Sequence, residues 1–435
     1  MPEKRLIPRN LEKELTKWLK RPEILAIKGP RQSGKTTLLK KLEVKLKREE
    51  SRAGVVYINL EDRDRLDQFT KDPIRFIESF SPRKSKRTFF LFDEYHYVPE
   101  AGQSLKLLYD SFTPQVKFII TGSSSLELTA QTGRWLVGRV FSFNLFPVSF
   151  GEYLNFKNLR LYNIWQEKNN ELRDFIEGKS QKVREEEVFS SEIQVHYSDY
   201  LRYGGYPAVV TAEDEETKQQ ILKNIEDTYL RRDIIELLKV ESVDKYRRLT
   251  QLIAGQTGQL ANYQQLSQDS GLYFKKLKHY LSILEETYVI SRLRPYFNNL
   301  TTEIKKNPKL YFLDSGLRNW LVRNFNMIDI RMDRGQLAES VTNSLLYYSY
   351  SEEWQLNFWR TTNGAEIDFI LSKGIKSPIP AEVKYSSFNK PRVSRSYRNF
   401  IRAYSPERGL ILTKDYWDQI QIGKTKVVFV PAWVL

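Results

Sequence analysis

The sequence predicts a multidomain α/β protein that opens on a parallel sheet and closes on a second, mixed one. Three observations predict it. The first 150 residues alternate five short apolar runs with helix-length amphipathic stretches, the pattern of strands joined by crossover helices. Residues 243–300 read helix, turn, helix, turn, helix and strand pair, the outline of a winged helix-turn-helix. From about 331 a helix precedes three strand-length runs, a basic helix and two further strands.

Taken in order, the first strands are ILAIKG (24–29), VVYINLED (55–62), FFLFDE (89–94), KFIITG (117–122) and RVFSFNLF (139–146). Residues 147–240 hold no comparable strand and read as helical, with a polar, charged insertion or arm at about 157–190 whose run VREEEV is a solvated face. In the winged segment, NYQQLSQDSG ends on a Gly stop and YFKKLKHYLSILEETYVI carries apolar residues at 3–4 spacing. The last segment contains the helix GQLAESVTNSLLYY, strands at LNFWRT, EIDFIL and IPAEVK, then GLILT and KVVFV. Four domains follow: 1–146 with the parallel sheet, 147–242 as a helical lid, 243–330 as the winged module, and 331–435 as a C-terminal α/β domain.

Composition narrows the chemistry. At 435 residues the chain exceeds one ordinary core, and 40% hydrophobic with 13% aromatic content suffices for packed interiors. Cysteine is absent, which removes disulfides, Cys-ligated zinc and thiol nucleophiles together. Three histidines, His96, His196 and His279, are too few for a His-rich metal site. Apolar runs are too short to span a bilayer, and MPEKRLIPRNLEKELTKWL has no signal-type apolar stretch, so no membrane and a cytoplasmic location are expected. A net charge of +15 suits a polyanionic partner, or plain solubility.

GPRQSGKTT fits G-x-x-x-x-G-K-[ST] over Gly29 to Thr36, after an apolar strand and at the start of a helix. Gly29, Pro30, Arg31, Gln32, Ser33, Gly34, Lys35, Thr36 and Thr37 would wrap a triphosphate. The glycines let backbone N–H groups point inward, and the helix N-terminus favours an anion. Lys35 would reach the β and γ phosphates and Thr36 would ligate Mg²⁺. The run FFLFDEYHY ends a strand in Asp93, a further Mg²⁺ ligand, and Glu94, placed to polarise the attacking water. Thr121, Ser123 and Ser124 in FIITGSSS could sense the γ-phosphate. Arg134 and Arg139 in GRWLVGRV are candidate arginine fingers, in cis or from a neighbouring subunit, or surface ion-pair residues.

These motifs, together with GRVFSFNLFPVSFGEYL, YLRYGGYPAVV, TYLRRDI, PKLYFLDSGL and GAEIDFIL…AEVK, resemble a family of AAA-type P-loop ATPases whose C-terminal half carries a domain of uncharacterised function. The resemblance covers nearly the whole chain. It implies ATP binding and hydrolysis through Lys35, Thr36, Asp93 and Glu94, a helical lid, and a winged-helix module before the C-terminal domain.

E-x-K occurs at five places and carries little by itself, but in IPAEVKY the side chains of Glu382 and Lys384 share one face of a strand. Asp368 and Glu366 share a face of the preceding strand, and Glu339 lies in the helix upstream. A helix and strands bringing Glu339, Asp368 and Glu382 with Lys384 together are similar to the restriction-endonuclease-like fold. There carboxylates bind Mg²⁺ or Mn²⁺ and the Lys stabilises developing charge. A non-cutting version, with Lys384 neutralising Glu382, is the alternative.

For nucleic acid, the third winged helix offers Lys275, Lys276, Lys278 and His279 interleaved with Tyr273, Phe274 and Tyr280, with Lys245, Arg247 and Arg248 upstream. A helix over 390–402 adds Lys390, Arg392, Arg395, Arg398 and Arg402, of which 395, 398 and 402 lie on one face. Lysines without an Arg or Asn pattern suit phosphates rather than base edges. The expected protein is an ATPase that binds DNA through these elements. The rivals are a non-cutting switch for a protein or DNA partner and an ATP-dependent nuclease in defence or mobile-element handling. Oligomeric state is open.

Overall fold

The computed structural model describes residues 6–50, 53–81, 87–122, 136–180, 183, 188–228, 242–296, 306–374 and 377–435. The chain forms two compact units, one of Pro8–Pro147 with Glu286–Tyr288, the other of Val148–Glu285 and Val289–Leu435 with the first residues.

The first unit is built on strands β1 (Ile24–Lys28), β2 (Gly54–Asn59), β3 (Thr88–Asp93), β4 (Val116–Gly122) and β5 (Val140–Asn144). They pair in the order β2-β3-β4-β1-β5, and every pairing is parallel. Such strands are covered on both faces, which is why they read as continuous apolar runs. Phe90, Phe92, Phe118 and Ile120 pack on one side with Phe69 and Leu105. Leu25, Ile27, Leu91 and Ile119 pack on the other against Leu38, Leu42 and Leu15. The order places β4 between β1 and β3. The loop after β1 and the acids ending β3 are therefore two strand spacings apart, about 10 Å.

The second unit carries β6 (Ile290–Pro295), β7 (Lys309–Phe312), β8 (Gln355–Arg360), β9 (Glu366–Ser372), β10 (Ile379–Lys384), β11 (Arg408–Thr413), β12 (Asp418–Ile422) and β13 (Thr425–Pro431). They form one mixed sheet in the order β12-β13-β11-β10-β9-β8-β6-β7. Strands β8, β9 and β10 run antiparallel. Strands β10 and β11 are parallel across a helix at Arg395–Tyr404.

The winged elements have the expected sequence of helices, Val243–Gly255, Tyr263–Ser270 and Phe274–Glu286, followed by the pair β6 and β7. The wing does not stand apart. Strand β6 continues into the C-terminal sheet through Arg294–Asn357 and Pro295–Phe358. The helical segment after 147 also packs into the C-terminal core: Phe150, Trp165 and Tyr197 share a cluster with Phe369, Leu410 and Trp433. The Trp165 indole N–H donates to the Trp433 carbonyl at 2.7 Å. Helix 390–402 begins later than its charge pattern suggests. Ser394 caps it at the Tyr397 amide, and Lys390 and Arg392 precede it. No helix among the described residues is long and apolar enough to cross a membrane.

Candidate nucleotide site and C-terminal carboxylate cluster

The loop after β1 needs its glycines. Gly29 has φ +156°, and a Cβ there would lie 2.1 Å from the Leu145 carbonyl oxygen. Gly34 takes a left-handed φ of 96° to begin the helix Lys35–Glu49, whose N-terminus has no side-chain cap. The N–H groups of its first turn therefore have no intrahelical partner and suit an anion. The Lys35 ammonium is buried and donates to the Gly29 and Pro30 carbonyls at 3.0 and 2.9 Å. Ser33 is fully buried, and its Oγ has no hydrogen-bond partner. Thr36 is partly buried beside it. Arg9 braces the loop from outside, donating to the Ser33 and Phe146 carbonyls at 2.7 and 2.6 Å.

At the same edge of the sheet, β3 ends in Asp93. One carboxylate oxygen accepts from Thr121 Oγ1 at 2.5 Å and the other from the Tyr57 hydroxyl at 2.8 Å. Thr121, at the end of β4, also accepts from the Glu94 amide at 3.0 Å, so a single hydroxyl locks the acid pair in place. Glu94 has a left-handed φ of 55°, and its Oε2 lies 3.1 Å from Nδ1 of the buried His96. Burial pushes the Glu94 carboxyl up, but the His96 contact, the Lys35 charge and the Arg31 charge outweigh it and hold its pKa at about 2. Burial, with Asp93 as hydrogen-bond partner, raises the Tyr57 hydroxyl.

The fold thus collects Lys35, Thr36, Asp93, Glu94 and Thr121 on one edge, and adds Arg9, Tyr57 and His96. A buried ammonium, an orphan hydroxyl, the amides of a helix N-terminus and two ionisable acids form a donor set that fits a nucleoside triphosphate with Mg²⁺. Arg139 is not part of this group. It precedes Val140, which pairs with Ile24 at the far end of the sheet, about 13 Å or more along the strand from the loop. There it donates to Asp110 at 3.1 Å and lies over the Tyr109 ring. Ser123, Ser124 and Arg134 lie outside the described residues.

In the second unit, Glu339, Glu366, Asp368 and Glu382 do converge, but not as the expected ligand set. Among the described residues no group of His, Asp and Glu is arranged to hold a metal ion. Each carboxylate has a protein donor instead. Lys309 is bound to Glu339 at 3.1 Å and to Glu366 at 2.6 Å, and Tyr311 donates to Glu339 at 2.5 Å. Arg360 holds the other oxygen of Glu366 at 2.7 Å. Asp368 accepts from the Val383 amide at 2.8 Å. Glu382 is bound by Lys384 at 2.8 Å and by Ser394 at 3.0 Å. Burial and the neighbouring Glu339 push Asp368 up to about 7, against the pull of Lys309 and the Val383 amide. Lys309 is raised because Glu339, Asp368 and Glu366 outweigh its burial. Lys309 and Tyr311 were hidden in PKLYF, where the two-residue spacing of a strand is the one signal of a shared face.

The basic elements divide into surface and core. Lys275, Lys278 and His279 are exposed and Lys276 is partly buried. Tyr273 and Phe274 are 80% and 46% exposed, and the Lys278 ammonium sits 4.5 Å from the Phe274 ring centre. Tyr280 belongs to the core instead, against Tyr246. On the helix Arg395–Tyr404, Arg395, Arg398 and Arg402 are exposed while Tyr397, Phe400 and Ile401 are buried. Through its cap Ser394 this helix touches Glu382.

Comparison with known proteins agrees with the first unit. Residues 21–154 match the AAA domain family, and this part of the chain is an AAA-type P-loop ATPase domain. Residues 194–327 and 334–433 match two families described as domains of unknown function, DUF8612 and DUF4143. An uncharacterized protein of Haemophilus influenzae is 26% identical over 427 residues, covering 95% of this chain and 94% of the relative. One of Methanocaldococcus jannaschii is 24% identical over 387 residues, covering 87% and 79%. Among solved structures, the Aeropyrum pernix ORC2 protein in its ADP form aligns over 67% of this chain and 88% of its own, at 13% identity and a TM-score of 0.34.

Proposed function

We propose that the chain is an Mg²⁺-dependent ATPase that binds DNA through its winged and C-terminal elements, and that nucleotide state sets the affinity for DNA. The observation that carries the ATPase reading is the meeting of Lys35, Asp93 and Glu94 on one sheet edge, joined through Thr121. In this reading the amides after Gly34 bind the phosphates and Lys35 neutralises their terminal oxygens. Thr36 and Asp93 would hold Mg²⁺, which spreads the charge developing on the transferred phosphoryl group. Glu94 takes the proton of the attacking water, with His96 fixing its carboxylate. A finger role for Arg139 is reserved for a second copy of the chain, since its own loop is at the opposite end of the sheet.

The DNA reading draws on two separate exposed basic helices in a chain of net charge +15. Its test is an affinity titration at rising salt. Phosphate contacts give a log–log slope of about −0.9 each, and Lys275→Ala, Lys278→Ala or Arg398→Ala should each lower the slope by about one. A flat salt response would remove DNA and leave a protein partner as the better reading. For the C-terminal domain, the pairing of every carboxylate with a protein donor favours a binding role over cutting.

A further inference from the structure

We propose that Lys309 is the built-in cation of the C-terminal carboxylate cluster, and that the docked wing strand β7 keeps divalent metal out of it. The proposal rests on reading this domain as nuclease-like, and it says which state the domain is in. The Lys309 side chain is 3% exposed, and its ammonium bridges Glu339 on the helix Arg334–Tyr350 to Glu366 on β9. Two residues along β7, Tyr311 donates to the same oxygen of Glu339. A buried ammonium and a divalent ion compete for the same carboxylate lone pairs, so both cannot be held there at once.

The strand is fixed from the winged side. The amides of Gly258 and Ala261 donate to the carbonyls of Leu310 and Pro308 at 2.9 and 2.8 Å. Gly258 has φ +77°, and a Cβ there would come within 3.3 Å of the Glu339 carboxylate. The turn after the first winged helix thus closes over the cluster, and Thr257 approaches Ser340 at 3.4 Å to extend the seam. Any partner that shifts the wing must withdraw Lys309 and uncover several carboxylates. The winged helix and the carboxylate cluster are in this way one mechanical device: the first holds the plug of the second.

The test uses the full-length, nucleotide-free, chelator-stripped protein and Mn²⁺ as the probe. Wild type should show little change in melting temperature on adding Mn²⁺. Lys309→Met should melt about 5 °C or more lower, because it strands buried carboxylates, and Mn²⁺ should restore most of that loss. Lys309→Arg should retain the insensitivity of wild type. If Lys309→Met does not fold, the pair Lys309→Met with Glu366→Gln removes one charge of each sign and carries the same comparison. A wild type stabilised by Mn²⁺ as strongly as the variant, or a folded variant that ignores Mn²⁺, would overturn the proposal. Neither readout involves ATP turnover or DNA, so a failed ATPase or DNA assay would be told apart from a failure here.

Discussion

Lys35→Ala is expected to lower ATP turnover by about 10²–10³-fold, since a single pre-aimed charge or donor on a developing anion commonly supplies that much. The structure explains why Arg9 does not substitute. Lys35 is held by the Gly29 and Pro30 carbonyls at the base of the loop, and Arg9 is committed to the carbonyls of Ser33 and Phe146. Single-turnover hydrolysis with radiolabelled ATP would check it, and calorimetric titration would show whether binding falls as well. Normal turnover by the variant would remove the ATPase assignment.

Glu94→Gln should separate binding from chemistry. The amide keeps the shape, and the Glu94 backbone bond to Thr121 is untouched. ATP should therefore still bind, while hydrolysis drops by about 10²–10⁴, the range for a lost general base. The pH dependence has a definite sign. Because the folded pKa of Glu94 is depressed from 4.5 to about 2, its ionised form persists as pH falls and is lost only toward that lower value. Wild-type turnover should show no loss of this base between about pH 5 and 8. An acidic limb that disappears in Glu94→Gln would show that the carboxylate titrates higher and that His96 does not hold it down.

Much of the first unit was legible because a parallel sheet writes itself as apolar runs. All five strands lie where those runs are, and the acids follow FFLF as the end of β3. The supporting residues were not legible. Arg9 and Tyr57 reach the site from separate elements, and nothing local marks a side chain whose partner is 24 or 36 residues away, whereas His96 stands two residues from its partner Glu94. Arg139, which the sequence leaves open between an arginine finger and a surface ion pair, is the reverse case. Its nearness in sequence to the γ-phosphate region hides the fact that it begins a strand while the loop follows the end of one. In the C-terminal domain, strand alternation put Glu382 with Lys384 and Glu366 with Asp368 on shared faces, and the likeness to a nuclease-like fold brought in Glu339 from its helix. The counter-charge of Glu339 and Glu366 could not be read in this way, because Lys309 comes from a strand more than twenty residues upstream of the helix that bears Glu339.

The shared sheet governs how the chain can be taken apart. The bonds between β6 and β8 cross the point, near residue 330, where the pattern of elements invites a cut. A fragment starting there would present β8, with Asn357 and Phe358, as a raw border with unmet amides and carbonyls, open to pairing with other molecules. The same fragment would lose the ammonium that offsets its acids. Solubility and cooperative melting should survive scission after Pro147 far better than scission near 330, because the former follows the division between compact bodies and the latter tears a hydrogen-bonded seam.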